Sequence, residues 1–438
     1  MPTADLTIEL HLEGAWHEAA VLTILDTDAG PRSPTHFAYL DDHIVGHATD
    51  LGTHDERAVS ERFPLQFEVW TQQTWPAFAF DIAPMGAARR WWRRRLGAER
   101  LTEAQLDFQL FRDRVIEPIG HMRVAPPEAE VAAPVAFAKE EVCRRDVGFL
   151  EHAADMGAAI GGATGAGGDA PKILLAEDED GQVYPAGGLA DDRTMACWLV
   201  KWPRGRDTDR DRLVLHTEYL YAHALAELGL DTRPGEWRQI EDGRPSLWLP
   251  RFDRVVTESG LERVAVESFY SLSGITQPGA AVSHQAFLSA LARAVTDRGE
   301  SPNLAGLVGE YLCRDLLDVV LGNSDNHGRN RAVIRSGELR LAPIYDLAPM
   351  IMDPEGATRS SHWGVHERGG RIDWLAVCRE LDVYAEPGQM ESELRQFADR
   401  LLALPDLLCD AGLREDVVAF PRIYLGRMVA TFEAWGLR

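Results

Sequence analysis

The chain of 438 residues carries 45 Lys+Arg against 69 Asp+Glu, a formal charge of −24, with 45% apolar, 26% charged and 8% aromatic residues. This composition excludes disordered, collagenous and coiled-coil chains, and the length predicts two or three domains. A field this negative repels phosphate backbones, so DNA or RNA is expected only indirectly, through a basic partner.

Five cysteines, Cys143, Cys197, Cys313, Cys378 and Cys409, lie far apart without a CxxC pair. They read as reduced core thiols of a cytosolic, cytoplasmic protein. The start, MPTADLTIELHLEG, has no basic or apolar leader region, and no apolar run approaches the roughly 18 residues of a membrane span, so neither export nor a membrane anchor is expected. Only Lys139, Lys172 and Lys201 are lysines; the other 42 basic residues are arginine. Where lysine survives such a bias, a compact ammonium is expected to matter, and its usual work is to contact phosphate oxygens.

Residues 1–124 open with strand-like alternation at Leu6, Ile8 and Leu10, then Ala20, Leu22 and Ile24. They run into RRWWRRR, Arg89 to Arg95, which reads as an amphipathic helix paired with local acids rather than a nucleic-acid arm. The twelve tryptophans are expected in the core. APPEAEVAAP, Ala125 to Pro134, is the clearest linker. Residues 135–255 mix a Gly-rich segment, short apolar runs at Ile173 to Ala176 and Met195 to Trp202, and a helix around Leu213 to Leu230 closed by Gly229. Residues 256–438 are mostly helical in period, with stripes at His284 to Val295, Val308 to Leu321 and Met390 to Leu404. The outcome is an α/β lobe followed by an α-rich lobe.

The densest polar cluster, GNSDNHGRN at Gly322 to Asn330, follows a helix and precedes a hairpin (Arg331 to Ile334, a Ser336-Gly337 turn, Leu339 to Leu341) that leads to Tyr345-Asp346-Leu347. Asp325 and Asn330 are five apart, the spacing at which a kinase loop keeps its hydroxyl-orienting Asp and its magnesium-holding Asn. Asp346 stands where kinases keep a second magnesium carboxylate, and oxygen ligands suit that hard ion. Two other readings stay open here: Asn323, Asp325 and Asn330 as turn and capping residues, or Asp325, His327 and Asp346 as a transition-metal site.

Upstream, GGATGAGGDAPK at Gly161 to Lys172 offers backbone amides to phosphate, although Pro171 before Lys172 and a following strand exclude a Walker A loop. A surface loop is the plainer reading. Lys201 lies in the strand-prone MACWLVKWP, and seventeen residues later Glu218 falls in the apolar stripe of Val214, Tyr221, Leu225 and Leu228. A carboxylate on a buried face needs a partner, and Lys201 is the candidate. SLWLPRFDR, Ser246 to Arg254, reads as a strand entering a hinge where the Pro250 carbonyl and Phe252 N–H could meet adenine; without further argument it reads as a strand with surface ion pairs of Arg251 or Arg254 with Asp253.

In this order the segments GGDAPK (Gly167 to Lys172), VKWP (Val200 to Pro203), TEYLYAHALAELGL (Thr217 to Leu230), RFDR (Arg251 to Arg254), GNSDNHGRN and YDLAPM (Tyr345 to Met350), with FDIAPMGAARR at Phe80 to Arg90, resemble the HipA family of serine/threonine protein kinases. The resemblance implies an α+β, bilobal, protein-kinase-like fold: an extra N-terminal subdomain over 1–124, a mixed α/β N-lobe over 135–255 and an α-helical C-lobe over 256–438. It implies ATP and magnesium as cofactors, with Asp325 as catalytic base and Asn330 and Asp346 as metal ligands. Gly167, Gly168, Asp169, Ala170, Pro171 and Lys172 would form the phosphate loop and Lys201 would contact the ATP phosphates. Pro250, Arg251 and Phe252 would form the adenine hinge, and His327, Gly328, Arg329, Asn330, Tyr345 and Asp346 the rest of the pocket. Pro250 replaces the acidic residue usual in the family, leaving its carbonyl as the group on offer.

The implied activity is a toxin-type kinase acting on a protein hydroxyl of a translation component, such as an aminoacyl-tRNA synthetase, and restrained by a helix-turn-helix antitoxin. Where relatives can carry an autophosphorylated loop serine this chain has Gly165, so loop autophosphorylation would fall on Thr164. Two other classes compete: a pseudokinase or nucleotide-sensing module that docks onto a repressor, and a small-molecule kinase of the aminoglycoside or choline type.

Overall fold

A computed structural model describes residues 2–48, 51–97, 100–115, 117–126, 135–145, 149, 171–204, 207–241, 243–258, 260–354 and 356–438. Gly167, Gly168, Asp169 and Ala170 of the phosphate-loop expectation, and Thr164 and Gly165, lie outside the described residues.

The alternation near the N-terminus forms β1 (Ala4–Leu12) and β2 (Ala15–Ile24), joined by a hairpin in the register Leu6↔Leu22. With β3 (Thr35–Tyr39), β4 (Val69–Gln72) and β5 (Met122–Val124) they make an antiparallel sheet of order β4-β3-β2-β1-β5. Leu6, Ile8, Leu10, Ala20, Leu22 and Ile24 all face the buried side, against an aromatic cluster that includes Phe37, Phe63 and Phe78. The Arg-rich stretch is helix α1 (Gly86–Arg95), packed on α2 (Glu103–Asp113). Arg89 pairs with Glu103 at 2.6 Å and with Asp107, and Arg93 with Glu103, so local acids do pair with this helix.

A second sheet holds β6 (Lys172–Glu177), β7 (Val183–Pro185), β8 (Ala196–Lys201), β9 (Glu236–Arg238) and β10 (Ser246–Pro250) in the order β7-β6-β8-β10-β9. Its register sets Lys172 and Leu247 on either side of Lys201 in the central strand. Helix α3 (Asp209–Glu227) begins earlier than the apolar stripe suggests, because Thr208 and Asp211 form a capping box ahead of the first apolar residue. It ends where Gly229 takes a φ of +72°.

Leu213, Leu220, Tyr221 and Leu225 of α3 join one large core with α4 (His284–Asp297), α5 (Leu304–Leu321) and α6 (Gln389–Leu401). The remaining strands are short. β11 (Arg254–Thr257) and β12 (Gly260–Arg263) form a hairpin, β13 (Val266–Ser268) pairs with β15 (Ala332–Ile334) and β15 with β16 (Arg340–Leu341), while β14 (Val282–Ser283) runs parallel to β17 (Ser361–His362). The expected hairpin after Asn330 is thus β15–β16.

Among the described residues no helix is long and apolar enough to cross a membrane. Among the described residues six tryptophans, Trp75, Trp92, Trp202, Trp248, Trp363 and Trp374, are buried. The five thiols are free, but the core assignment needs correcting: only Cys143 and Cys378 are buried and Cys409 is exposed.

The RFDR charges are not at the surface. Asp253 accepts from Arg251 and Arg254, each at 2.7 Å, and from the Gly120 amide at 2.8 Å. Arg254 and Arg263 share Glu117, at 2.8 and 3.0 Å, and Arg251 also donates to the Pro118 carbonyl. Against the cost of burial, Arg254 and Arg263 pull the Glu117 carboxyl down to about 2. This network fastens residues 117–120 to the strand end that carries Phe252. Removing one member of a buried ion cluster strands the others, so Asp253→Ala should lower unfolding stability by about 3–5 kcal/mol, read from denaturant midpoints. Glu117 contributes stability above the ordinary carboxylate range, and that share should be lost as pH falls toward 2.

Candidate active site

The site begins with a buried ammonium. Lys201, at the end of the central strand β8, lies 2.5 Å from Glu218 of α3 and 2.5 Å from Asp346. Burial disfavours the charge, but Asp346 and Glu218 outweigh it and hold Lys201 above the ordinary lysine range. Conversely, Lys201 and Lys172 keep Asp346 well below the usual carboxylate range despite its burial. Glu218 on the apolar stripe therefore has the partner its burial demands.

Asp346 adopts a φ of +56°, a left-handed backbone that a non-glycine residue holds only when its surroundings enforce it. It follows Tyr345, whose hydroxyl donates to the Arg329 carbonyl at 2.8 Å and whose ring stacks on Phe252 with centroids 5.5 Å apart.

The Gly322–Asn330 loop starts where Gly322, at φ +72°, ends α5. Asn323 donates to Asp318 at 2.8 Å and accepts from the Asp325 amide at 3.2 Å, so the turn chemistry read from the sequence is present and serves to place Asp325. Burial raises the Asp325 pKa, with Asp346 adding to the shift and His327 opposing it. His327 Nε2 lies 3.5 Å from Asp325, and burial lowers the imidazole pKa, which favours the neutral ring.

Asn330 spends its amide N–H on the Asp325 carbonyl at 2.8 Å. Its Oδ1 is buried without a hydrogen-bond partner. The Asn330 oxygen and the ionised Asp346 are hard donors of the kind magnesium takes, although the two residues line different recesses. Among the described residues no three His, Cys, Asp or Glu side chains converge to hold a metal, so the Asp325, His327, Asp346 transition-metal reading finds no support.

A cleft enclosing about 1120 Å³ of atom-free space, open mouth included, lies between the strand end and the loop. Lys201, Pro250, Arg251, Phe252, Arg329, Tyr345 and Asp346 line it, as the sequence suggests. The Arg251 guanidinium, however, is committed to Asp253. A smaller polar recess shares Lys201, Glu218 and Asp346 with the cleft and adds Lys172 and Asp325. His327 and Gly328 line neither. His327 stacks near Tyr270, and a Cβ on Gly328 would collide with Tyr270 and Phe287, so packing demands glycine there. Asn330 faces a third recess behind the loop with Tyr345.

Among the lining residues that escaped the sequence reading, four carry the most weight. Arg204 and Asp353, paired at 2.6 Å, border the polar recess, and Asp81 and Ile119 line the cleft from the N-terminal part of the chain. Asp81 sits inside FDIAPMGAARR, the one available signal. It accepts from the Ser268 amide and hydroxyl at 2.9 and 2.7 Å, and burial raises it to about 6.

The family model described as HipA-like C-terminal domain matches residues 164–404. No curated protein matches. HipA of Shewanella oneidensis MR-1, solved as a toxin–antitoxin complex with HipB and its operator DNA, superposes with a TM-score of 0.63 at 15% identity, covering 98% of this chain and 97% of that one. At that identity the likeness is one of fold. The Helicobacter pylori proinflammatory kinase CtkA aligns at 14% identity over 62% of this chain and 91% of that chain, with a TM-score of 0.36 that carries no argument.

Burial pushes the Lys172 ammonium down to about 8, with Lys201 adding to the depression while Asp346 opposes it. Selective ¹³C labelling of lysine gives three resonances to follow. Lys172 should titrate near pH 8, whereas Lys201 should stay protonated past the ordinary lysine range. The unfolded chain retains this proton up to about 10.4, so stability should rise with pH between about 8 and 10 and carry no Lys172 slope below that.

Proposed function

Since the chain belongs to the HipA family, we propose that it is an ATP-dependent protein serine/threonine kinase of toxin type, with a bilobal layout whose cleft takes the nucleotide. The observation that carries this reading is Lys201 clasped between Glu218 and Asp346, in a recess shared with Asp325. A module that only docks onto a partner has no need of that constellation.

In this reading Lys201 and Lys172 meet the ATP phosphates, with Gly167, Gly168, Asp169 and Ala170 supplying loop amides and Pro171, which has no N–H to donate, leading into Lys172. The Pro250 carbonyl and Phe252 N–H face the adenine, and the Phe252–Tyr345 stack supports an apolar wall beside it. Asn330 and Asp346 would hold magnesium, which would supply positive charge against that of the ATP phosphates. Asp325 accepts the proton of the acceptor hydroxyl; its raised pKa makes it a stronger base than an exposed aspartate, and the Asn323 and Asn330 bonds hold it in place. Lys201 stays charged throughout, so it positions phosphate and moves no proton.

The acceptor is a protein serine or threonine, on a translation component such as an aminoacyl-tRNA synthetase. The partner is a helix-turn-helix antitoxin, an assignment supported by the Shewanella HipA solved with HipB and operator DNA; at a net charge of −24, DNA is reached through that partner.

The protein is incubated with labelled ATP, magnesium and a cell lysate beside Asp325→Asn. Label should enter a protein band and fall about 10²–10⁴-fold in the variant. Label confined to small molecules would favour an aminoglycoside- or choline-type kinase, and no label in any fraction a nucleotide-binding pseudokinase. Lys201→Arg keeps the charge but should transfer poorly, because a planar fork does not fit the point-charge position between two carboxylates. Near-normal transfer in that variant would refute the role given to Lys201.

A further inference from the structure

Residues that follow Asp346 are fastened to the catalytic loop at the loop's start and at its middle. At the near end the Ile351 amide donates to the Gly322 carbonyl at 3.0 Å. At the middle of the loop Asn326, the residue next to Asp325, makes three bonds: its amide donates to the Ser361 carbonyl at 2.9 Å, and its oxygen accepts from the Ser360 and Ser361 amides at 3.1 and 3.2 Å. Asn326 is 1% exposed, so these bonds replace solvent completely.

A second clasp reinforces the first. Asp315 of α5, fully buried, accepts from Arg359 at 2.9 Å, from the Trp363 indole at 2.8 Å and from Arg331 at 2.8 Å. Arg331 directly follows Asn330 and also pairs with Asp318, the residue that holds Asn323. One carboxylate therefore ties the end of the catalytic loop to two residues of the following segment. Asp325 and Asp346 are joined twice over: through the β15–β16 hairpin, and through the clasp at Asn326 and Asp315.

A double connection has a physical purpose here. Asp346 holds a left-handed backbone that is strained for a residue with a side chain and persists only where neighbours over-determine it. The hairpin fixes the chain before Asp346, and the clasp fixes the chain after it.

We infer that Asn326 and Asp315 are positioning residues that set the Asp325–Asp346 geometry by holding residues 359–363 to the catalytic loop. This rests on the kinase reading for its catalytic consequence, but the fastening itself does not.

The test separates the two. Hydrogen exchange is measured on the full chain and on Asn326→Ala, with Asp315→Asn as a second, isosteric variant and melting temperature as the folding control. The Ser360 and Ser361 amides should be protected in the parent and lose at least tenfold protection in Asn326→Ala. In the labelled-ATP assay both variants should transfer 10- to 100-fold more slowly and need several-fold more magnesium for half-maximal rate, while the KM for ATP stays within twofold. A merely stabilising contact would lower the melting temperature without moving the magnesium requirement, and that result overturns the inference, as does unchanged protection or undiminished transfer in a folded Asn326→Ala protein. No transfer by the parent chain would sink the kinase reading and the catalytic consequence with it, while exchange still decides whether the clasp exists.

Discussion

A lysine ammonium taken out of water and set between two carboxylates is the constraint on which the rest of this molecule turns. Lys201 can remain charged at 4% exposure only because Glu218 and Asp346 flank it. The three groups come from three places: the central strand of one sheet, a helix that belongs to the large helical core, and the chain beyond a hairpin. Each of the three must arrive for any of the charges to be tolerable. The ion cluster therefore couples the assembly of the second sheet to that of the helical core, and the same cluster forms the polar end of the cleft.

The N-terminal sheet is tied to this assembly by polar rather than apolar means. Glu117, Pro118 and Gly120 engage the Arg251–Arg254 turn. Ser60 and the Glu61 amide engage Glu267, and Asp81 engages Ser268. Directional bonds at several separated points fix orientation more sharply than an apolar contact of equal area. Because Ile119 and Asp81 stand beside those ties, the N-terminal part of the chain supplies a wall of the cleft as well as a neighbour to it.

Much of the architecture was legible along the chain because it depends on local periodicity. Leu6, Ile8 and Leu10 alternate, so they had to face one side of a strand; Leu312, Leu316 and Val320 recur at helical spacing, so they had to face one side of a helix. The Lys201–Glu218 pair was legible for a different reason: an acid in an apolar stripe cannot be left unpaired, and lysines are almost absent from this chain. The Asp325 to Asn330 spacing, with Asp346 beyond a hairpin, pointed to a loop that does lie between a helix and that hairpin. Periodicity misplaced the start of α3, since a capping box of polar residues carries no apolar signal.

By itself the sequence determined the elements, the family and the identity of the charged groups that meet in the cleft, because these follow from short-range pattern and from the cost of burying a lone charge. Tertiary structure alone decided that the RFDR charges lie inside rather than outside, that Asp81 and Ile119 reach the cleft, that Arg204 pairs with Asp353, and that Asn326 and Asp315 clasp a segment some 35 to 45 residues further along the chain. The physical reason is common to all four. Each depends on which surfaces the chain brings together across long sequence separations, and a polar residue gives no sign along the chain of whether its partner will be water or another part of the protein.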